Sequence, residues 1–202
     1  SHEPSVELSV SIDRDVGDSL PPGLWREVRG EVVLPRFLWK EQDDREDDVG
    51  WFTLDADGLP LRNGEAEVFF NLVVPESLHG APAGSAPVLV FGHGIFSNPQ
   101  SYLTSGDDEH GLVELCNRLG AVCIGSRWRG LTSTDSPDAL RVAANLGRFP
   151  LITDKMVQGV ADQMAMPRLM HTAFADSDFL QADGGGSLVD PDRVLYYGIS
   201  LG

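Results

Sequence analysis

The last five residues, Gly198-Ile199-Ser200-Leu201-Gly202, restrict this chain more than any other feature. They form G-x-S-x-G directly after Arg193-Val194-Leu195-Tyr196-Tyr197, a β-branched and aromatic run that reads as a strand. In that setting the serine sits on a tight, strained turn that points its Oγ away from the sheet. Gly198 and Gly202 keep side chains out of the places where backbones must approach closely. The Leu201 N–H then faces the position where an oxyanion would develop. The other half of the motif's context, a helix starting at the serine, would lie past Gly202. A Gly-rich turn without chemistry is the plain alternative.

A second segment favours the catalytic reading. Val88-Leu89-Val90-Phe91 is a continuous apolar run, as expected of a strand buried on both faces, and Gly92-His93-Gly94-Ile95-Phe96 follows it. A strand ending in His-Gly ahead of a loop and helix is where the second oxyanion donor belongs. Gly94 lets the chain turn over the nucleophile, and the Ile95 N–H is the expected donor, with Phe96 the close alternative. His93 precedes the serine, against the order Ser, acid, His, so it reads as loop support rather than as the base.

The rest of the chain divides at residues 76–86. Residues 1–75 are β-rich. Val6, Leu8, Val10 and Ile12 alternate with polar neighbours; Glu31–Leu34, Trp51–Leu54 and Ala66–Val74 are further strand candidates. Asp55-Ala56-Asp57-Gly58 reads as a hairpin turn and not as a calcium loop, since position 64 is Gly where an acid is needed. Asp43–Asp48 reads as a solvated acidic loop. His79–Pro87 is a connector.

From Val88 onward, apolar runs alternate with helical patterns. A helix is expected over 108–119, stopped by Gly120, then a strand over Ala121–Gly125 and a short helix over Ser136–Asn145. Next comes a longer helix capped by Thr153 with Met156, Val157, Val160, Ala161 and Met164 on its apolar face. Pro167 should kink or restart it, and Leu169, Met170, Ala173 and Phe174 continue the face. Asp183–Gly186 reads as a flexible loop and Arg193–Ile199 as a third strand. This order predicts an α/β layer with a parallel sheet.

The segments VLVFGHGIF, SRWRGLTST and YYGISLG together resemble the α/β-hydrolase superfamily, specifically its esterase/lipase-like members. Arg129 and Gly130 match a D-x-R-G-x-G-x-S stretch of many hydrolases; Arg127 and Thr132 depart from it. Asp154–Gly159 (DKMVQG) resembles part of the helix before the elbow strand in a subgroup of large exported bacterial proteins, where a segment like 28–75 precedes the hydrolase domain. The resemblance covers residues 66–202 more firmly than 1–65. It implies a mostly parallel sheet flanked by helices, a Ser-acid-His triad of which Ser200 alone is carried over, and an exported or cell-surface setting. On this reading 1–75 is a β-rich accessory part or the first hydrolase strands, 76–86 a connector and 87–202 an incomplete α/β-hydrolase core, cut at the elbow. Acid and His would lie beyond Gly202, and this piece alone would be inactive and would fold poorly. The spacing from Gly94 to Ser200 is long, with the surplus at 131–152 and 176–190, as an inserted lid or as surface loops.

The expected chemistry is hydrolysis of a carboxylic ester, from a small-molecule or lipid substrate, through an acyl-enzyme on Ser200 with no metal or organic cofactor. The rival is a non-catalytic hydrolase-like module for binding or assembly. Charge narrows the partners: 15 basic against 31 acidic residues give −16, a field that repels phosphate backbones and argues against nucleic acid. No apolar run approaches the roughly 20 residues of a membrane-spanning helix. Oligomeric state is not legible. Cys116 and Cys123 show no metal-ligand spacing and read as buried free thiols ahead of a disulfide. Asp107-Asp108-Glu109-His110 fits a helix start rather than a metal cluster. His171 reads as a core or boundary histidine, and the four methionines as packing. Trp128 either lines an acyl pocket or sits at a boundary.

Overall fold

The structure is a computed structural model that describes residues 8–15, 20–39, 51–104 and 111–202. The acidic run 43–48, Val6 and the Asp107–His110 cluster fall outside these residues. Six strands form one sheet in the order β1-β2-β3-β5-β4-β6. They are β1 (Leu8–Asp15), β2 (Leu24–Pro35), β3 (Glu65–Pro75), β4 (Ala86–Gly92), β5 (Val122–Ser126) and β6 (Val189–Gly198). The chain is mixed α/β: β5, β4 and β6 pair in parallel, and the strand-rich N-terminal part continues the same sheet antiparallel through β3.

Strand alternation builds two cores. Val88, Val90, Val122 and Ile124 join Val28, Val32, Phe70 and Leu72 on one face, beneath Met166, Leu169, Met170 and Phe174. Leu89, Phe91 and Cys123 point the other way, against Leu103, Leu112, Val113 and Cys116. Burial on both faces is why β4 carries no polar side chain between Ala86 and Gly92. Helices α1 (Gln100–Leu103) and α2 (Leu112–Leu119) cover the second face. Gly120 closes α2 in the left-handed region at φ 56°, where a side chain is disfavoured. Cys116 and Cys123 are both buried and free, and burial pushes the Cys123 thiol well up.

Helices α3 (Ser136–Ala144) and α4 (Pro150–Leu169) follow β5. Three expectations for α4 are corrected. It starts at Pro150, a residue suited to a first helical turn, so Thr153 lies inside it and caps nothing. It also runs through Pro167 to Leu169 without restarting there, because a proline in the last turn frees only the Gln163 carbonyl. Lastly, Val157, Val160 and Met164 are exposed, while Lys155, Gln158, Asp162 and Gln163 are buried. The helix turns a polar face inward because that face ties loops to the sheet. Gln158 accepts from Phe37 N–H at 2.8 Å and donates to the Pro35 carbonyl at 3.1 Å, holding the end of β2. Asp154 accepts from Phe52 N–H at 3.1 Å.

Other expectations also shift. Trp51–Leu54 forms only isolated bridges, Phe52 to Leu38 and Leu54 to Pro60. Asp55 makes that turn: its Oδ1 accepts from the Asp57 and Leu59 N–H groups at 2.9 Å each. Asp183–Gly186 is a tight turn closed by a Gln181–Ser187 bridge rather than a loose loop. Residues 131–152 form α3, which packs on α4, and short turns, with Leu140, Leu146 and Phe149 exposed, while Phe179, Leu180 and Leu188 sink into the first core. Met164 and His171 are exposed rather than packed, with His171 Nε2 3.8 Å from Asp192. Among the described residues, no helix is long and apolar enough to cross a membrane.

Candidate active site

The parallel strands end level with one another. Gly125 pairs with Phe91, Phe91 with Tyr197, and Gly92 with Gly198. The loops after β4, β5 and β6 therefore emerge along one edge of the sheet, the carboxyl edge at which parallel sheets bind ligands.

Beyond β6 the chain turns at once. The Ile199 N–H still donates to the Gly92 carbonyl at 3.1 Å, and the Gly202 N–H returns to the Ile199 carbonyl at 3.1 Å. Ser200 sits at the tip of this turn, exposed, with φ 61°. A non-glycine residue held there costs on the order of 1–3 kcal/mol, so neighbouring structure must impose it. The glycines show how. A Cβ on Gly202 would enter the Gly92 and His93 backbones, and one on Gly198 would strike the Gly202 carbonyl. A Cβ on Gly94 would stand 3.3 Å from the Ser200 Cβ. The loop after β4 thus runs against the serine with only glycine between them.

Ile95 and Phe96 follow on that loop, both exposed, and Phe96 also has a positive φ, 56°. Among the described residues, the N–H groups of Ile95, Phe96 and Leu201 donate to no other group. Trp128 is buried against Gly159, and its indole edge borders an apolar cleft of about 290 Å3 with Val90, Val160, Met164, Val194 and Tyr196.

His93 is fully buried between two loops. Its Nε2 accepts from the Trp128 N–H at 2.9 Å, and its Nδ1 lies 2.8 Å from the Gly94 carbonyl. Only the neutral ring protonated on Nδ1 satisfies both contacts. Burial lowers the pKa of His93 below the usual 6.5, opposed by the Gly94 bond and the Asp135 charge. The folded state therefore disfavours the imidazolium, and stability present above pH 6.5 declines as pH falls through the folded value. His93→Ala is expected to cost about 2–3 kcal/mol, because it strands a buried N–H, and to remove that part of the acid sensitivity. Urea unfolding between pH 4 and pH 8 checks both.

Behind the edge lies a buried charge network that sequence reading missed. The Lys155 Nζ donates to Asp138 Oδ2 at 2.8 Å and to Asp135 Oδ1 at 3.1 Å. Burial alone would lower the Lys155 pKa, but the two carboxylates outweigh it and raise it. Asp138 moves down: burial opposes, while Lys155 and Arg141 prevail. Arg129 donates to Asp162 at 2.8 Å and to the Glu67 carbonyl at 3.0 Å, fixing the loop after β5 to both α4 and β3. Burial still pushes the Asp162 carboxyl up against the pull of Arg129 and Gln158. Spacings 155, 158 and 162 carry this polar face at helical period, a signal masked by the hydrophobic residues between them. Tyr102 was missed as well. Its ring packs on Phe91 at 5.1 Å, and its Oη lies 3.4 Å from the point where a Gly94 Cβ would sit. Nothing in Ser101-Tyr102-Leu103 marks it in the sequence.

Among the described residues, no group of three or more His, Cys, Asp or Glu is placed to hold a metal ion. No family model and no curated protein matches the chain. Two solved structures share part of its shape. One belongs to a protein assigned as an acetyl xylan esterase from Bacteroides fragilis, at TM-score 0.48 and 12% identity over 98% of this chain and 43% of that one. The other is an acetyl xylan esterase from Paenibacillus sp. R4, at TM-score 0.36 and 15% identity over 96% and 45%. The chain spans less than half the length of either.

Proposed function

We propose that this chain carries the nucleophile and oxyanion-binding loops of a serine hydrolase acting on carboxylic esters. The observation that carries the reading is Ser200 at φ 61° on a turn that Gly94, Gly198 and Gly202 allow to form by giving up every nearby Cβ. A strained residue in an exposed turn has a cost that packing does not repay, which points to function.

In the proposed reaction Ser200 Oγ forms a bond to the ester carbonyl carbon as a base takes its proton. The carbonyl π electrons move to oxygen, and the Leu201 and Ile95 N–H groups hold the oxyanion. Collapse restores the carbonyl, breaks the bond to the alcohol and returns the proton to the leaving alkoxide. Water then repeats these steps on the acyl-enzyme. The described histidines do not fit the role of base. His93 is spent on two loops, His79 meets the Trp25 ring edge-on at 5.0 Å, and His171 lies exposed 3.8 Å from Asp192. Base and acid would come from outside the described residues.

Fluorophosphonate labelling of the intact protein, followed by peptide mapping, tests the reading. An adduct on Ser200 that is lost in Ser200→Ala is the expected result. A folded protein that turns over no ester and takes no adduct at Ser200 would show the elbow to be only a turn, as in the binding-module reading.

A further inference from the structure

We infer that Cys116 and Cys123 are the two halves of one disulfide, closed as the chain folds in an oxidising compartment. The inference stands apart from the hydrolase reading, since neither sulfur belongs to the elbow or to the loops around it. These are the two cysteines of the sequence. Both are fully buried in the same apolar core, and their side chains meet in a hydrogen bond. Each arrives there from a fixed support. Cys116 lies on the buried face of α2 with Leu112 and Val113. Its carbonyl accepts from the Ala121 N–H at 3.0 Å, which ties the end of the helix to the start of β5. The left-handed turn at Gly120 leaves no slack between the two elements. Cys123 lies in β5 between Val73 of β3 and Leu89 of β4, and all three share their core with α2. Helix and strand therefore hold the two sulfurs against each other without help from a flexible loop.

The chemistry balances with a low-molecular-weight disulfide, such as oxidised glutathione, as the oxidant. The thiolate of one cysteine attacks a glutathione sulfur and expels one glutathione thiolate. The thiolate of the other attacks the protein sulfur of that mixed disulfide and expels the second. Two S–H bonds are lost and one S–S bond forms. The two electrons reduce glutathione, and the two protons pass to its thiolates. Only thiolates attack, and burial holds Cys123 as the thiol. The folded core thus excludes both the reactive form and the oxidant. The bond is made before α2 docks on β5 and is shielded from reduction afterwards, as suits a protein of an oxidising compartment. It staples α2 to the strand that leads to Trp128, whose N–H holds His93 at 2.9 Å.

The intact protein tests this without any variant. After folding in a mixture of oxidised and reduced glutathione, thiols titrated in guanidinium chloride should number two fewer than after folding with a reductant. Trypsin locates the bond, because Arg118 lies between the cysteines. Peptides 63–118 and 119–127 should run as one species that separates on reduction. The oxidised protein should melt about 5–10 °C above the reduced one, as a short closed loop predicts for a chain of this size. That difference should vanish in Cys116→Ala; should this variant fail to fold, the oxidised and reduced wild-type proteins still decide. Two thiols that persist in the glutathione mixture, or glutathione adducts in place of the linked peptides, overturn the inference. So does a linked protein that melts no higher than the reduced one, because the native fold would then not be built around the bond.

Discussion

Lys155→Met destabilises the protein by about 3–5 kcal/mol, the expected cost of stripping a partner from a buried ion pair. Lys155 is 5% exposed, and Asp135 and Asp138 are 7% and 4%, so the carboxylates left behind have little water to turn to. Asp138 keeps Arg141 at 2.7 Å, and Asp135 keeps the Thr132 N–H at 2.9 Å and hydroxyl at 2.6 Å, which sets the loss nearer the lower figure. Urea unfolding at pH 7 measures it. The triple change Asp135→Asn, Asp138→Asn, Lys155→Met should recover part of the loss, since no uncompensated charge remains. The pH dependence has two limbs. Lys155, raised above 10.5, contributes stability that is full below 10.5 and disappears as pH climbs through its folded value. Asp138, held below 3.8, contributes stability that is full above 3.8 and disappears as pH falls through its folded value. Both limbs should vanish in the triple variant; persistence of either would assign it to other groups.

Gly202→Ala abolishes the elbow. Its methyl group would land on the backbones of Gly92 and His93, which β4 and the His93–Trp128 bond hold in place. Neither is the flexible end of a side chain, so the turn must give way and Ser200 must move. A displacement of about 1 Å at a reacting atom costs on the order of 10²-fold in rate. The second-order rate of Ser200 labelling by a fluorophosphonate should fall at least that far. Gly58→Ala is the control. Gly58 has φ 79° and no atom near its absent side chain, so the change costs about 1 kcal/mol of turn strain and leaves labelling untouched. Equal labelling of wild type and Gly202→Ala would show the close approach at the elbow to be inconsequential.

Legibility followed the length scale of the interaction. Segments with unbroken apolar character and local stop signals were readable: β4, β5 and α2 with Gly120 lie within a residue or two of their expected bounds over the described residues. The elbow was readable because its requirement is local, a serine between glycines after a strand. Helix α4 was misread because its period-3.6 signal was taken from hydrophobic residues, whereas its buried face is built from Lys155, Gln158, Asp162 and Gln163. A polar residue is buried only with a partner, and those partners lie far away in the chain: Pro35, Phe37, Arg129, Asp135 and Asp138. The stretch Asp154–Gly159 was singled out by resemblance, and its purpose became visible in the fold. Asp154 holds Phe52, Lys155 the carboxylates of Asp135 and Asp138, Gln158 the end of β2, and Gly159 leaves room for the Trp128 indole.

The turn at Ser200 with the glycines about it, and the buried strands β4 and β5, were therefore legible from sequence alone, because short-range sterics and unbroken apolar character need no distant partner. The level ends of β4, β5 and β6, the neutral state of His93, the inward polar face of α4 and the approach of Tyr102 to the serine were decided only by tertiary structure. Each depends on groups remote in sequence meeting at fixed distance, and burial then turns an ordinary side chain into a tie or a charge pair.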